Sequence, residues 1–123
     1  MSANARLRCA LRETNSITVT APSPGVKAGT MAKVEDVVGV YLEDADTGDE
    51  VAFCYYAPKI VVTSVAVGTG KFTAGSKVYF DETDEEINES STGNTLCGVV
   101  LETPALTAET VLIALDGTLG IVA

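Results

Sequence analysis

The sequence contains no histidine at all, and no tryptophan. The first absence removes Ser-His-Asp and Cys-His nucleophile systems and every His-ligated metal site. It also removes the side chain that most often serves as a general base near neutral pH. Aromatic residues make up only 6% of the chain, so Val, Ile, Leu and Ala must fill any interior. Cysteine is scarce too: Cys9, Cys54 and Cys97 are odd in number and more than 40 residues apart. Without a CxxC pair a zinc site is not expected, and Cys54 and Cys97, inside apolar runs, read as buried free thiols. No apolar run approaches the roughly 20 residues needed to cross a bilayer. The opening MSANARLRCALRETNS has no apolar stretch fit for a signal peptide. The protein is expected to be made and kept in a cytoplasm, or to leave it only inside something larger.

What remains is a 123-residue chain that is 46% hydrophobic and only 20% charged, enough apolar material for one domain with a sizeable core. The net charge is −9, which favours solubility and opposes nucleic-acid binding, since phosphate contacts need Lys and Arg. The charge is unevenly placed. Residues 1–14 carry three Arg (Arg6, Arg8, Arg12) against one Glu, a net +2, while residues 15–123 carry five Lys against sixteen acids, a net −11. The chain therefore divides into a basic arm, residues 1–14, and a body, residues 15–123. Such an arm is either a solvated terminus or a strip that docks on a partner or a neighbouring subunit.

Past residue 16 the pattern is β throughout. ITVTA (Ile17–Ala21) alternates and is rich in β-branched residues, and PSPG (Pro22–Gly25) turns the chain. Strands are expected over Val26–Val34 and Val37–Glu43, with Gly39 marking a bulge or a close backbone approach. DADTGDE is a turn. Val51–Ala57 alternates, Pro58 limits it, and Lys59–Val67 is a β-branched run. A glycine-rich loop follows, then KVYF (Lys77–Phe80), an acidic hairpin, TLCGVVLE (Thr95–Glu102), a loop, TVLIALDG (Thr110–Gly117) and a weakly apolar tail. Short strands at about ten-residue spacing, with Gly, Pro, Asn and Asp between them, predict an all-β fold, a sandwich or barrel. The only helical candidate is the arm, where Leu7, Ala10 and Leu11 share one helical face.

Several stretches invite a chemical reading. Starting at Asp44, DADTGDE supplies an oxygen at position 3 of a calcium loop, but Gly48 falls at position 5 and Asp49 at position 6. A tight hairpin turn with Gly48 at positive φ explains it better. GTGKFTAGSK lacks the Ser or Thr that must follow Gly-Lys in a phosphate loop. Tyr41, Tyr55, Tyr56 and Tyr79 could stack on sugars, though strand aromatics more often pack across strands. The stretch Asp81–Glu89 packs six carboxylates into nine residues around a single apolar side chain, Ile87. Catalysis by a carboxylate pair needs a pocket that separates two pKa values. Charges this dense instead sit where water screens them. The expectation is a solvated hairpin with Ile87 facing inward, no catalytic residues, no cofactor and no metal.

Read in order, these segments resemble a phage family. Gly75, Lys77, Val78, Tyr79, Phe80 and Asp81, then Thr92, Gly93, Asn94 and Gly98, then Asp116 and Gly117 follow its pattern of Gly-x-Lys-Val-Tyr-aromatic-Asp, a polar stretch, Thr-Gly-Asn-x-x-x-Gly and a closing Asp/Asn-Gly. The chain is similar over residues 15–117 to the small cement, or decoration, proteins of phage capsids. Members usually carry Trp where this sequence has Phe80. The resemblance implies an all-β virion protein, a small antiparallel barrel or tulip-like sandwich, commonly trimeric and non-enzymatic, on the outer surface of the head. Its partners would be major capsid protein subunits, which it clamps together, with neither nucleic acid nor membrane bound. A recombinase label borne by some members finds no support here, for there is no nucleotide loop and no basic surface signature beyond the short arm. The alternative is a host-surface or carbohydrate-binding β module, with tyrosines lining its site. The arm lies outside the resemblance. Read from its residues alone, its candidate capsid or subunit contacts are Arg6, Leu7, Arg8, Leu11 and Arg12.

Overall fold

A computed structural model describes residues 4–63, 72–105 and 108–118. Among them lie nine strands and no α-helix: β1 (Ala5–Leu7), β2 (Asn15–Thr20), β3 (Met31–Val34), β4 (Val37–Tyr41), β5 (Glu50–Thr63), β6 (Lys77–Asp81), β7 (Glu86–Asn88), β8 (Thr95–Val100) and β9 (Thr110–Asp116). All the pairings are antiparallel, in the order β3-β4-β5-β9-β8-β6-β7, with β1 and β2 also on β5. The sheet curls into a nearly closed barrel, as the turn spacing predicted.

β5 organises the rest. Cys54 pairs with Val40 of β4 and with Ser16 of β2; Ile60 pairs with Ile113 of β9 and with Leu7 of β1; Tyr56 pairs with Asp116 of β9 and with Asn15 of β2. A strand residue has only two lateral neighbours. These pairings therefore place β1 and β2 along one edge of β5, and β4 and β9 along the other. Residues 5–20 thus form one margin of the sheet.

β5 was expected as two strands split by Pro58. It runs through, because Pro58 lies in a register shift between Ala57 and Ile60, where a residue without an N–H costs no ladder bond. Residues 64–67 of the expected strand lie outside the described residues. A second irregularity precedes it. Val51 and Phe53 are buried, yet so is Cys54, so the inward parity flips between neighbours. Val51 and Phe53 join Ala21, Val26, Ala32 and Tyr41 in one cluster. Cys54, Ala57, Ile60 and Val62 join the main core, with Val38, Phe80, Ile87, Ile113 and Leu115. One long strand thereby packs two clusters.

Two other expectations are corrected. Val26–Val34 is not one strand: Val26 makes an isolated bridge to Ala45, the Asp44 carboxylate accepts the Ala28 N–H at 2.8 Å, and Gly29 at φ 85° bends the chain. The segment read as a helix is extended at Ala5–Leu7 and has only one 3-10 turn, Leu11–Glu13. Three residues of strand pairing on β5 outweigh a helix too short to hold itself together.

Two of the family-pattern glycines, Gly98 and Gly117, are places where backbones touch, while Gly75 and Gly93 stand in open turns at positive φ. A Cβ on Gly98 would sit 2.0 Å from the Ala114 carbonyl oxygen, and one on Gly117 would sit 2.0 Å from that of Val38. Gly39 is the close approach expected of it, with the Cys54 carbonyl oxygen 2.4 Å from a Cβ there.

Candidate functional site: the basic N-terminal margin

The margin begins at Asn4, which ties it to three parts of the barrel. Its N–H donates to the Gly29 carbonyl at 3.0 Å, and its own carbonyl accepts the Thr63 N–H at 2.9 Å. Its side-chain Oδ1 accepts the Met31 N–H at 3.0 Å, and Nδ2 donates to the Glu85 carbonyl at 3.3 Å. Ala5 adds a bond to Gly29, and the Arg8 N–H donates to the Lys59 carbonyl. Residues 4–8 are therefore stitched to the body rather than projecting from it.

On β1, alternation sends Arg6 and Arg8 to solvent and Leu7 inward against the main core. After β1 the chain bulges through the 3-10 turn, closed by the Ala10 N–H on the Glu13 carboxylate and the Thr14 hydroxyl on the Leu11 carbonyl. That turn leaves Leu11 64% exposed, with Arg12 beside it. Arg6, Leu7 and Leu11 come together on a shallow, mainly apolar groove of about 700 Å³ completed by Ala28, Tyr41, Leu42 and Ala52. Arg6 and Arg8 also border a second groove with Val61, Glu102 and Thr110. Arg12 lines neither of these two grooves. Among the described residues no ion pair or hydrogen bond engages any of the three guanidiniums. They are three solvated cations on a chain whose remainder is strongly anionic.

The other candidate chemistries dissolve into structure. Gly48 takes φ 89° in the hairpin turn, and Asp49 N–H closes on the Asp46 carbonyl. The acidic stretch is the β6–β7 hairpin and its exit. Asp81 Oδ1 accepts the Thr83 and Asp84 N–H groups, Ile87 is fully buried, and Glu82, Asp84 and Glu85 are exposed. Asn94 braces the exit by donating to Asn88 Oδ1 and to the Ser90 carbonyl. Among the described residues no three His, Cys, Asp or Glu side chains converge as a metal site would require. The tyrosines form no shared platform: Tyr41 is buried, its ring 5.0 Å from that of Phe53, while Tyr79 is separated from Tyr55 and Tyr56 by β8 and β9. All three thiols are free. Burial raises the Cys54 thiol and pushes that of Cys97 up to about 12, so both stay protonated at neutral pH.

Two features were missed by the sequence reading: the Asn4 ties, which join residues far apart in sequence, and the open edge of β2. Only the alternation Arg6-Leu7-Arg8 could have signalled a strand in the margin.

The model of the phage cement protein family matches residues 11–115. No match is found among curated proteins or among solved structures. The match spans most of the chain, and the chain belongs to the phage cement protein family: a structural, capsid-associated component of bacteriophage virions.

Proposed function

We propose that this protein decorates the outer surface of a phage head as a homotrimer and stabilises the shell by bridging major capsid subunits. On this reading it is made in the host cytoplasm, catalyses nothing and binds no nucleic acid. Residues 1–14 serve as the contact strip, and the remainder is the scaffold that holds the strip rigid. The observation that carries the reading, beyond family membership, is the set of exposed Arg6, Arg8 and Arg12, unpaired among the described residues, on a margin bonded into the barrel. Leu7 and Leu11 add apolar area beside them. A pre-ordered strip loses little entropy on docking, and three copies in one trimer sum weak contacts into firm attachment.

The test is cosedimentation with expanded heads that lack the protein. Deleting the segment is a poor probe, because it also removes the Asn4 bonds and the β1 ladder. Charge reversal at Arg6, Arg8 and Arg12 leaves both intact. The triple variant should bind roughly tenfold or more weakly, about 1.4 kcal/mol or more, and wild-type binding should weaken with salt. Unchanged binding by a folded triple variant refutes the assignment of the strip. Absence of any wild-type binding refutes the capsid role. Sedimentation equilibrium tests the trimer, whose mass is three times 12.7 kDa or a multiple of that.

A further inference from the structure

β2 is a sheet edge with none of the usual protection. Among the described residues no strand lies on its side away from β5. Soluble proteins blunt such edges with Lys, Pro or a mid-strand bulge. The sequence NSITVT has no charge and no proline, five of its six residues are exposed, and its one register shift lies at its start.

The ladder tells which backbone groups are free. The Leu42 N–H donates to the Ala52 carbonyl at 3.0 Å, so Ala52 addresses the β4 side and its neighbours Val51 and Phe53 address β2. Their partners are Val19 and Ile17. The Ala21 N–H on the Asp49 carbonyl at 2.8 Å continues that parity. Ser16, Thr18 and Thr20 therefore direct their N–H and C=O groups outward. The side chains of Ile17 and Val19 share one face, with Ile17 41% exposed.

We propose that a second copy of this chain pairs with this edge, antiparallel, about a two-fold axis through Thr18. In that register Thr18 meets Thr18 of the second copy, and Ser16 meets its Thr20. The outward N–H and C=O groups then bond in reciprocal pairs, and Ile17 packs against Val19 of the second copy. The charges agree with the direction. Arg12 lies just before β2, and the exposed Asp49 and Glu50 flank its far end, where Glu50 pairs with Thr20. Antiparallel pairing sets basic end against acidic end; parallel pairing would set like against like. Glu13, next to Arg12, is already engaged by the Ala10 N–H. The contact stands apart from the capsid reading. On that reading it would tie neighbouring trimers, since icosahedral three-folds are related by two-folds.

The test uses the isolated full chain in a Cys9→Ser background. Opposed hydrogen-bonded residues lie about 5.5 Å apart at Cα, within disulfide reach. Thr18→Cys should oxidise to a dimer band at twice 12.7 kDa on a non-reducing gel. Ser16→Cys should give no band alone and a strong one when mixed with Thr20→Cys. Thr18→Pro removes an outward N–H and no β5 bond, so it should lower the sedimenting mass with an unchanged circular dichroism spectrum. Thr18→Lys serves the same purpose if the proline variant misfolds. A monomeric Thr18→Cys, a Ser16→Cys dimer as strong as the Thr18→Cys one, or unchanged mass in both Thr18→Pro and Thr18→Lys overturns the proposal. Head binding is read separately, so its failure leaves this result standing.

Discussion

Asn4 is the residue on which barrel closure can be tested most directly. Met31 begins β3, and Glu85 is the last residue before β7; these strands are the two ends of the sheet order. One side chain reaches both. Asn4→Ala removes the Oδ1 acceptor for the Met31 N–H and the donor to the Glu85 carbonyl, while the backbone bonds to Gly29 and Thr63 remain. The Met31 bond is part-buried, so its N–H is left short of a partner at a cost of about 1–2 kcal/mol. The Glu85 carbonyl is exposed and regains water, costing about 0.5 kcal/mol. The sum, about 2 kcal/mol, should lower the melting temperature by roughly 6–8 °C for a domain of this size. The urea slope should not change, because the unfolded surface is the same.

Asn4→Asp separates the two bonds. It keeps an acceptor for Met31 and loses the donor to Glu85, so its melting temperature should fall between those of Asn4→Ala and wild type. Amide exchange at Met31 should quicken in Asn4→Ala and stay near wild type in Asn4→Asp. If Asn4→Ala melts within about 1 °C of wild type, the ends of the sheet are held by core packing alone and the reasoning fails.

Two further outcomes follow from the core. Cys97 keeps its proton in the folded state to about pH 12, while an unfolded thiol loses it near 9. Stability is therefore full below pH 9 and falls above it by up to about 1.4 kcal/mol per pH unit, with Cys54 adding in the same direction. Urea midpoints at pH 8 and 10.5 should diverge less in Cys97→Ala than in wild type, and equal divergence would contradict the argument. Gly98→Ala drives a Cβ to 2.0 Å from the Ala114 carbonyl oxygen, which is backbone and cannot swing aside. A cost of about 3 kcal/mol or more is expected, visible as a large drop in soluble yield and melting temperature; a near-wild-type melt would mean that β8 and β9 can part cheaply.

Much of the fold could be read from alternation and punctuation. The turns at Pro22–Gly25 and around Gly48, the acidic hairpin with Ile87 inward, and strands β4, β6, β8 and β9 all fall close to their expected positions. The misreadings share one cause: local pattern was trusted where tertiary pairing decides. Leu7, Ala10 and Leu11 have helical spacing, but Arg6-Leu7-Arg8 has strand spacing too, and only the presence of β5 selects between them. Pro58 looked like a terminator because the sequence does not show where a register shift will excuse a missing N–H. Val51 to Ala57 reads as one alternating strand, whereas the buried set changes parity at Cys54 to feed a second cluster. The five candidate contact residues fall on one margin, but their division between grooves could not be seen from spacing.

The margin's two halves differ in a way that fits the two different partners proposed for them. Both lie on the same edge of β5, one after the other. The first half, residues 4–12, is bonded at its start to β3 and to the β6–β7 turn, and it displays three cations and the exposed Leu11. Its attraction is electrostatic, tolerant of register and sensitive to salt, which suits a protein surface met at several related positions on a shell. The second half, Asn15–Thr20, is neutral, and among the described residues its outer ladder is bare. Backbone pairing is specific in register and less sensitive to salt, and here the side-chain match, Ile17 against Val19 with Arg12 toward the acidic end, is met by another copy of the same strand. The 3-10 turn at Leu11–Glu13 lies between the two, and its Arg12 is the one residue that both surfaces use. Salt should therefore act chiefly on head binding, and the Thr18 substitutions on pairing between copies.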